Sequence, residues 1–285
     1  MLAFGRLILL AGAVSGAWAA DASPTPAELL DEAIEAEAAN AEGLHRYVFF
    51  ETRLVEHVGG RGKVWRRKNE RYSVAWIDGR EIPELVSVNG KKPKKRDVER
   101  RKQEVERLLE RIAEERAERD KPSQGLTIPG WHVYAGTGGR EERHTFSIAG
   151  LDADEFELEL LDEGSGICAR PSEEAMAQRE AGAPALFEHR VWLDPQERAW
   201  VRWEARALSD GPVLGEGSRQ TMTRVRVEND IWIEDSIERS WLDRLSDSPG
   251  SNVSRVDARV ERYGFRRFFD VESAIEYQEA VLDEK

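Results

Sequence analysis

The chain has 285 residues, charged residues make up 34% of it, and its formal net charge is −13. An acidic surface repels the phosphates of DNA and RNA, so this charge argues against nucleic acid as a partner. The only cysteine, Cys168, has no second thiol in the chain with which to form a disulfide. The length allows one large domain or two small ones.

The first residues have the pattern of a secretory signal peptide. Arg6 ends a short N-terminal region, an apolar run covers 7–14, and Ala17-Trp18-Ala19 provides a small-x-small cleavage site. Cleavage is predicted after Ala19, which makes 1–19 the signal and leaves no cysteine at the new terminus for a lipid anchor. The apolar run is also shorter than the roughly 20 residues that a membrane span needs. We therefore expect a periplasmic or secreted protein without an integral membrane segment in the mature chain.

A helix is predicted from Pro26 to about Ala41. Thr25 stands at the N-cap, proline occupies the first helical position, and Glu28 completes a capping box. One face of this helix carries a narrow stripe formed by Leu29, Leu30, Ala33, Ile34 and Glu37. A helix with so little apolar surface is expected to lie on a larger element.

Most of the remaining chain alternates between apolar and polar residues with a period of two, which is typical of half-buried antiparallel strands. Turn signals separate these runs at 59–62, Asn89-Gly90 and Asp194–Glu197. The segment 164–184 instead indicates an irregular or partly helical crossing. Strands are predicted within 46–58, 62–77, 84–90, 144–150, 154–162, 187–194, 199–208, 218–228, 230–242 and 254–268. Short turns between successive strands predict an antiparallel meander and not βαβ units.

The segment 91–121 has a different composition. It contains no glycine, a single proline near its start, and many glutamates and arginines that can pair four residues apart on a helix. We predict one long, mostly solvated helix here. Its basic beginning is either a docking patch for a protein partner or a helix terminus that simply faces water, which is the commoner fate of a charge run.

Motifs for catalysis and metal binding are missing from the sequence. The histidines form no HExxH or His-x-His pair, and the glycines of 136–139 are not followed by the Lys-Ser/Thr of a phosphate loop. Asp and Glu number 55, so paired carboxylates are too common to identify a hydrolase, although a glycosidase stays open as an alternative. The sequence predicts no catalytic residue, no metal site, no cofactor and no enzymatic activity.

Several tryptophans fall within predicted strands, and Trp192, Trp200 and Trp203 fall on neighbouring ones. Large rings on a curved sheet line an apolar cavity in one interpretation and fill the core in a simpler one. The alternation alone does not decide between these two interpretations.

The order of elements resembles a known superfamily. The successive motifs are VNGKKPKKRDVERRKQEVERLLERIAEER, HTFSIAG, DEFELELLD, VWLDPQERAWVRWEARAL and NDIWIEDSIERS. Together they resemble the LolA/LolB-like outer-membrane lipoprotein-sorting proteins, and most closely an uncharacterised bacterial branch with a charged helix after an Asn-Gly-Lys turn. The likeness covers most of the mature chain.

The resemblance implies an α+β fold in which a strongly curved antiparallel sheet, an incomplete β-barrel, wraps around helices. It implies one such domain over 20–285, with the charged helix inserted at about 91–121. Its function would be a periplasmic carrier whose concave apolar face binds lipoprotein acyl chains or other lipid-like ligands. The alternative is a non-catalytic interaction or sensor module of the same fold, and a hydrolase ranks last. The candidate lining consists of Phe50, Leu54, Val74, Trp76, Phe156, Leu158, Val201, Trp203 and Ile233.

Overall fold

The structure, a computed structural model, contains the α-helices α1 (Pro26–Leu44) and α2 (Glu173–Ala177). Single 3-10 turns lie at Ile148–Gly150 and Asp162–Gly164. The residues that it describes are 24–44, 47–77, 80–96, 99, 103, 132–135, 140–143, 146–151, 154–180, 182–227, 231–242, 253–268, 273 and 277. The predicted signal peptide lies outside these residues.

Twelve strands are described. They are β1 (Tyr47–Gly59), β2 (Val64–Ile77), β3 (Arg80–Val88), β4 (His132–Ala135), β5 (Arg140–Arg143), β6 (Phe156–Leu161), β7 (Gly166–Pro171), β8 (Phe187–Leu193), β9 (Trp200–Ala207), β10 (Arg219–Val227), β11 (Ile231–Leu242) and β12 (Val253–Arg267). Strands β4 and β5 pair as a separate hairpin, and the other ten form one sheet.

The large sheet is antiparallel throughout, in the order β3-β2-β1-β12-β11-β10-β9-β8-β7-β6. Strands β6 to β12 follow one another as a meander, and β12 then pairs with β1 along most of its length, from Tyr47↔Arg267 to Gly59↔Val253. Among the described strands the edges β3 and β6 do not pair with each other, so the sheet stays open. The predicted α+β class with a large antiparallel sheet is confirmed, whereas its wrapping around several helices stays a prediction.

The first helix begins as predicted and ends a few residues later, at Leu44. The capping box is formed: the amide of Thr25 donates to the carboxylate of Glu28 at 2.8 Å, and the amide of Glu28 donates back to Oγ1 of Thr25 at 3.3 Å. Both bonds satisfy amides that the helix itself leaves unpaired. The amide and the hydroxyl of Thr25 both donate to the Glu28 carboxylate and lower its pKa, the backbone hydrogen bond contributing most.

The predicted turns join the strands that flank them. Asn89 and Gly90 adopt φ values of 49° and 73°, and these left-handed conformations favour Asn and Gly. The Asn89 side chain accepts from the Asn69 amide at 2.9 Å, which fixes the turn to β2. In the turn after β8, Oδ1 of Asp194 accepts from the amides of Gln196 and Glu197 at 2.9 and 2.8 Å.

Two strand assignments from the sequence were wrong. The segment 164–184, expected to be irregular or partly helical, contains the short helix α2 but also β7, whose residues are buried almost without a break. Burial on both faces removes the alternation that identifies a strand, and Gly166 and Ala169 are weak strand formers. The segment expected as a strand at 144–150 instead carries a 3-10 turn, where Ile148 anchors the chain in the core.

The ten-stranded sheet has two chemically different faces. Val191, Trp203, Met222 and Ile237 are direct cross-strand partners and belong to one buried cluster with α1. We call their side the inner face. Because side chains alternate along strands, the neighbouring row lies on the opposite, outer face, and it is polar. That row contains Arg190, Glu204, Thr221 and Glu238.

Candidate functional site

The first helix covers the inner face of the sheet. Leu29, Leu30 and Ala33 are almost fully buried, in one cluster with Trp203 and Met222. The C-terminal end of the helix belongs to a second cluster. Its buried members are Leu44, Tyr47, Phe49, Tyr72, Val74, Trp76 and Ile233. The apolar inner face therefore extends beneath the whole length of a single 19-residue helix.

The helix approaches the sheet closely at its C-terminal end. A Cβ atom at Gly43 would lie 2.0 Å from Cδ1 of Ile231, so only a residue without a side chain fits the present packing. Asn40 lies one turn earlier and is bound to the backbone of Trp232 on the same strand. Its amide nitrogen donates to the Trp232 carbonyl at 2.9 Å, and its oxygen accepts from the Trp232 amide at 2.7 Å.

An aromatic group lies at the centre of the inner face. The rings of Trp200 and Trp203 meet edge to face, with centroids 5.8 Å apart. The Nε1–H of Trp203 donates to Nδ1 of His189 at 3.2 Å, in a buried position. Phe146 and Phe156 contact the same imidazole at centroid distances of 5.4 and 5.8 Å. These residues form an apolar wall of large rings, and the N–H of Trp203 has a hydrogen-bond partner within it.

Charged side chains are buried between the two apolar clusters. Both terminal nitrogens of Arg224 donate to the carboxylate of Glu37 on α1, with Nη2 2.8 Å from Oε1, and Nη2 also lies 3.0 Å from Glu234. Arg262 also contacts Glu234, and it pairs with Glu51 at 2.9 Å and with Glu81 at 2.7 Å. We call this set the buried ion network; its members are Glu37, Glu51, Glu81, Arg224, Glu234 and Arg262.

Burial disfavours the charged form of each side chain in this network. The direction of each pKa shift depends on whether the neighbouring charges outweigh burial. Burial would raise the pKa of Glu234, but Arg224 and Arg262 outweigh it and hold that pKa below its ordinary value. Burial would lower the pKa of Arg224, and its carboxylate partners raise it instead. For Glu81 burial prevails over Arg262, so its pKa is raised. Arg53 also pairs with Glu51, so three arginines contact the four carboxylates of the network.

The structure places the predicted lining residues in three environments. Val74, Trp76 and Ile233 belong to the cluster at the C-terminal end of α1, and Trp203, Phe156 and Leu158 belong to or pack against the other cluster. Phe50 lies on the outer face, where its ring stacks on Tyr263 at 5.8 Å. Leu54 also lies on the outer face, beside a polar groove, and Val201 is half-buried in neither cluster. The nine residues thus do not form one surface.

Sequence reasoning missed the buried ion network. One signal was present: Glu37 falls on the apolar stripe of the helix, and a charge in such a position needs a buried partner. Arg224 carries a similar signal, because it continues the alternation of the buried residues Gln220 and Met222 along β10. No local pattern connects these residues, since Glu37 and Arg224 are 187 positions apart.

The described residues contain neither a metal-binding cluster nor a membrane-spanning helix. Within them, no group of three or more His, Cys, Asp or Glu side chains is placed to hold a metal ion. No helix in this part of the chain is both long and apolar enough to cross a membrane.

The chain was compared with protein families, curated proteins and solved structures. No family model and no curated protein sequence matches the chain. Among solved structures, it is similar to an outer membrane lipoprotein-sorting protein domain from Vibrio parahaemolyticus, with 11% identity over 90% of this chain and 99% of that one, at a TM-score of 0.38. A LolA superfamily protein from Nitrosomonas europaea has 9% identity over 88% and 96%, with a TM-score of 0.30. A DUF1329 family protein from Desulfovibrio piger has 11% identity over 91% and 99%, with a TM-score of 0.33.

The names of the first two structures are those of the superfamily that the sequence resembles. With TM-scores of 0.30 to 0.38, only part of the backbone superposes on each of them. What those proteins bind is therefore not transferred, and the function is argued from the residues of this chain.

Proposed function

We propose that this protein binds lipid-like ligands, such as the acyl chains of lipoproteins, between α1 and the inner face of the sheet. One observation carries the proposal: two clusters of apolar side chains, with the buried ion network between them, lie under a single helix whose own apolar stripe is narrow. We further propose that it acts in the periplasm, after removal of 1–19.

A ligand must displace α1 to reach these clusters. Trp203 is 2% exposed and Val74 and Ile233 are fully buried, so the protein's own side chains fill the space in the present conformation. Each methylene that leaves water contributes about 0.8 kcal/mol, so ten methylenes supply about 8 kcal/mol. This gain would have to offset the loss of the buried contacts of α1, which include Leu29, Leu30 and Leu44.

The buried ion network makes this displacement less costly than its burial suggests. When α1 leaves, Glu37 returns to water, whereas Arg224 keeps Glu234 as a partner at 3.0 Å. No arginine is then left buried without a carboxylate, which is the arrangement that normally costs several kcal/mol.

The filled interior favours a second candidate function. An interaction or sensor module of the same fold needs no ligand cavity, and the buried state of Trp200, Trp203 and Ile233 is what such a module requires. In that case the helix remains on the sheet and a partner meets an exposed surface. The basic segment that begins at Lys91 stays a prediction for such a partner, since most of 91–121 lies outside the described residues.

Native mass spectrometry of the purified chain, with and without added palmitate, tests the proposal. We expect a bound species of the mass of one fatty acid, with greater occupancy in Glu37→Gln, which weakens the anchor of α1. Glu32→Gln is the matched control, because Glu32 also lies on α1 but pairs with Arg198 at the surface, at 2.9 Å. Absence of a bound fatty acid in all three proteins would favour the interaction module.

A further inference from the structure

The outer face of the sheet holds a groove of 720 Å³ that runs across six neighbouring strands, from β8 to β1. This volume falls within the range of small-molecule sites. Its lining is dominated by arginines and carboxylates. The groove lies on the side opposite α1, so it is distinct from the proposed acyl-chain site.

The carboxylates of this groove already have partners. Glu188 pairs with two arginines, through Arg170 at 2.7 Å and Arg190 at 3.0 Å. The other described acids of the lining pair with one arginine each; these pairs are Glu56 with Arg67, Glu204 with Arg202, Glu238 with Arg259, and Asp257 with Arg255. Every described carboxylate of the groove therefore already has an arginine partner.

Arg206 and Arg219 are the exception among these ion pairs. They are directly opposite each other on β9 and β10, both are exposed, and both line the groove. On its other side Arg206 is opposite Glu188, whose carboxylate is bound by Arg170 and Arg190. Neither Arg206 nor Arg219 has an ion pair with any residue that the structure describes. Cross-strand partners lie about 5 Å apart at Cα, and like charges in this position repel. Two adjacent arginines without an ion pair among the described residues require an explanation.

We propose that Arg206 and Arg219 form a binding site for a tetrahedral oxyanion, of the kind carried by a phosphate ester. A guanidinium donates two parallel hydrogen bonds to an oxyanion, so a single arginine satisfies a carboxylate. Two facing guanidinium groups match a group with three or four oxygens and two negative charges. The hydroxyl of Ser240, the other cross-strand neighbour of Arg219, already donates to Asp257 at 2.7 Å, so the two arginines are the donors of this site.

The phosphate comes either from a lipid headgroup or from a soluble ester, and the same two arginines would bind both. The proposal does not depend on acyl-chain binding, because the two sites lie on opposite faces. A failure of one therefore leaves the other unaffected.

Calorimetric titration of the purified chain with inorganic phosphate at low ionic strength tests the site. We expect saturable binding, weakened about tenfold or more in each of Arg206→Gln and Arg219→Gln, since a hydrogen bond to a charged group contributes about that factor. Arg66→Gln is the matched control, because Arg66 is an exposed strand arginine outside the groove; it should change the affinity less than about twofold. Absence of saturable binding, or an equal loss in the control, overturns the proposal.

Cosedimentation with phosphatidylcholine vesicles, with and without phosphatidic acid, then identifies the source of the phosphate. Binding to the acidic vesicles that is lost in Arg206→Gln and Arg219→Gln, but not in Arg66→Gln, assigns a lipid headgroup. Phosphate binding without any vesicle binding assigns a soluble ester. Both results support the site, and the far-ultraviolet circular dichroism of each variant shows whether its fold is retained.

Discussion

Glu37 of the first helix receives two hydrogen bonds from Arg224, whose guanidinium carbon lies 3.6 Å from the centre of the Trp200 ring. The pair thus connects α1, the sheet and the aromatic wall at one point. Its burial makes it the principal polar anchor of α1, together with Asn40. This relationship is the basis of the first prediction.

The replacement Glu37→Ala is expected to lower the free energy of unfolding by about 1.5 to 3 kcal/mol, because Arg224 loses its hydrogen bonds to a buried carboxylate while it keeps its pair with Glu234. Glu32→Ala, on the same helix, should change it by at most about 1 kcal/mol, since its pair with Arg198 is exposed. Urea unfolding followed by tryptophan fluorescence measures both. Equal losses in the two variants would show that α1 is not anchored through the network.

The replacement Glu81→Gln is expected to stabilise the protein at neutral pH. Burial raises the pKa of Glu81 in the fold, so its charged form opposes folding above the folded pKa. As the pH falls towards the unfolded value of about 4.3, the wild-type carboxyl becomes protonated and the advantage of the variant disappears. Urea unfolding at pH 7 and near that value measures the difference, and a variant that is less stable at pH 7 contradicts the assignment.

The pair of Glu234 and Arg224 has the opposite dependence. The pKa of Glu234 is lowered in the fold, so its contribution to stability is present above the unfolded value and is lost as the pH falls through the folded one. In Glu234→Gln the loss of stability on acidification should therefore be smaller than in wild type. Thermal unfolding between pH 7 and pH 3 follows the two proteins, and identical pH profiles would exclude this carboxylate as a source of acid sensitivity.

His189 and Trp203 are expected to be energetically coupled through their buried hydrogen bond. Truncating His189 to Leu leaves the indole N–H without this acceptor, at a cost of about 1 to 3 kcal/mol. The same change in a Trp203→Phe background should cost less, because no N–H remains. A double-mutant cycle from urea unfolding gives the coupling energy, and additivity of the two changes would contradict the bond.

Arg219→Gln is expected to leave stability unchanged or to increase it by a few tenths of a kcal/mol. The substitution removes the repulsion from Arg206 directly across the strand pair. Arg255→Gln in the same groove removes a partner of Asp257 and gains nothing of this kind. Thermal unfolding without phosphate compares them. A clear destabilisation in Arg219→Gln would mean that this arginine stabilises the fold through a structural partner, which would contradict its role as an anion-binding residue.

Sequence reasoning was reliable wherever one face of an element is buried and the other is exposed. The alternation of Phe156 and Leu158 with glutamates located β6, and the capping residues Thr25 and Glu28 located the start of α1. It failed at β7, because a strand buried on both faces shows no alternation.

Local sequence patterns also could not show on which face of the sheet a side chain lies. Strand β1 carries apolar residues on both parities, so Phe50 and Leu54 were grouped with side chains that lie on the other side of the sheet. The ion pair of Glu37 with Arg224 depends on packing between distant segments. The periodicity of each segment therefore predicted its type, but the composition of the site required the tertiary arrangement.

The central claim is that an acyl chain replaces α1 against the inner face, and quenching of tryptophan fluorescence by a brominated fatty acid tests it most directly. Bromine quenches only rings that it contacts, so saturable quenching should be reduced in Trp200→Phe and Trp203→Phe. It should be retained in a Trp65→Phe control, whose ring is 54% exposed away from the helix-covered clusters. If binding quenches none of the buried tryptophans, or if the control alone loses the signal, the fatty acid does not occupy this face and the account is contradicted.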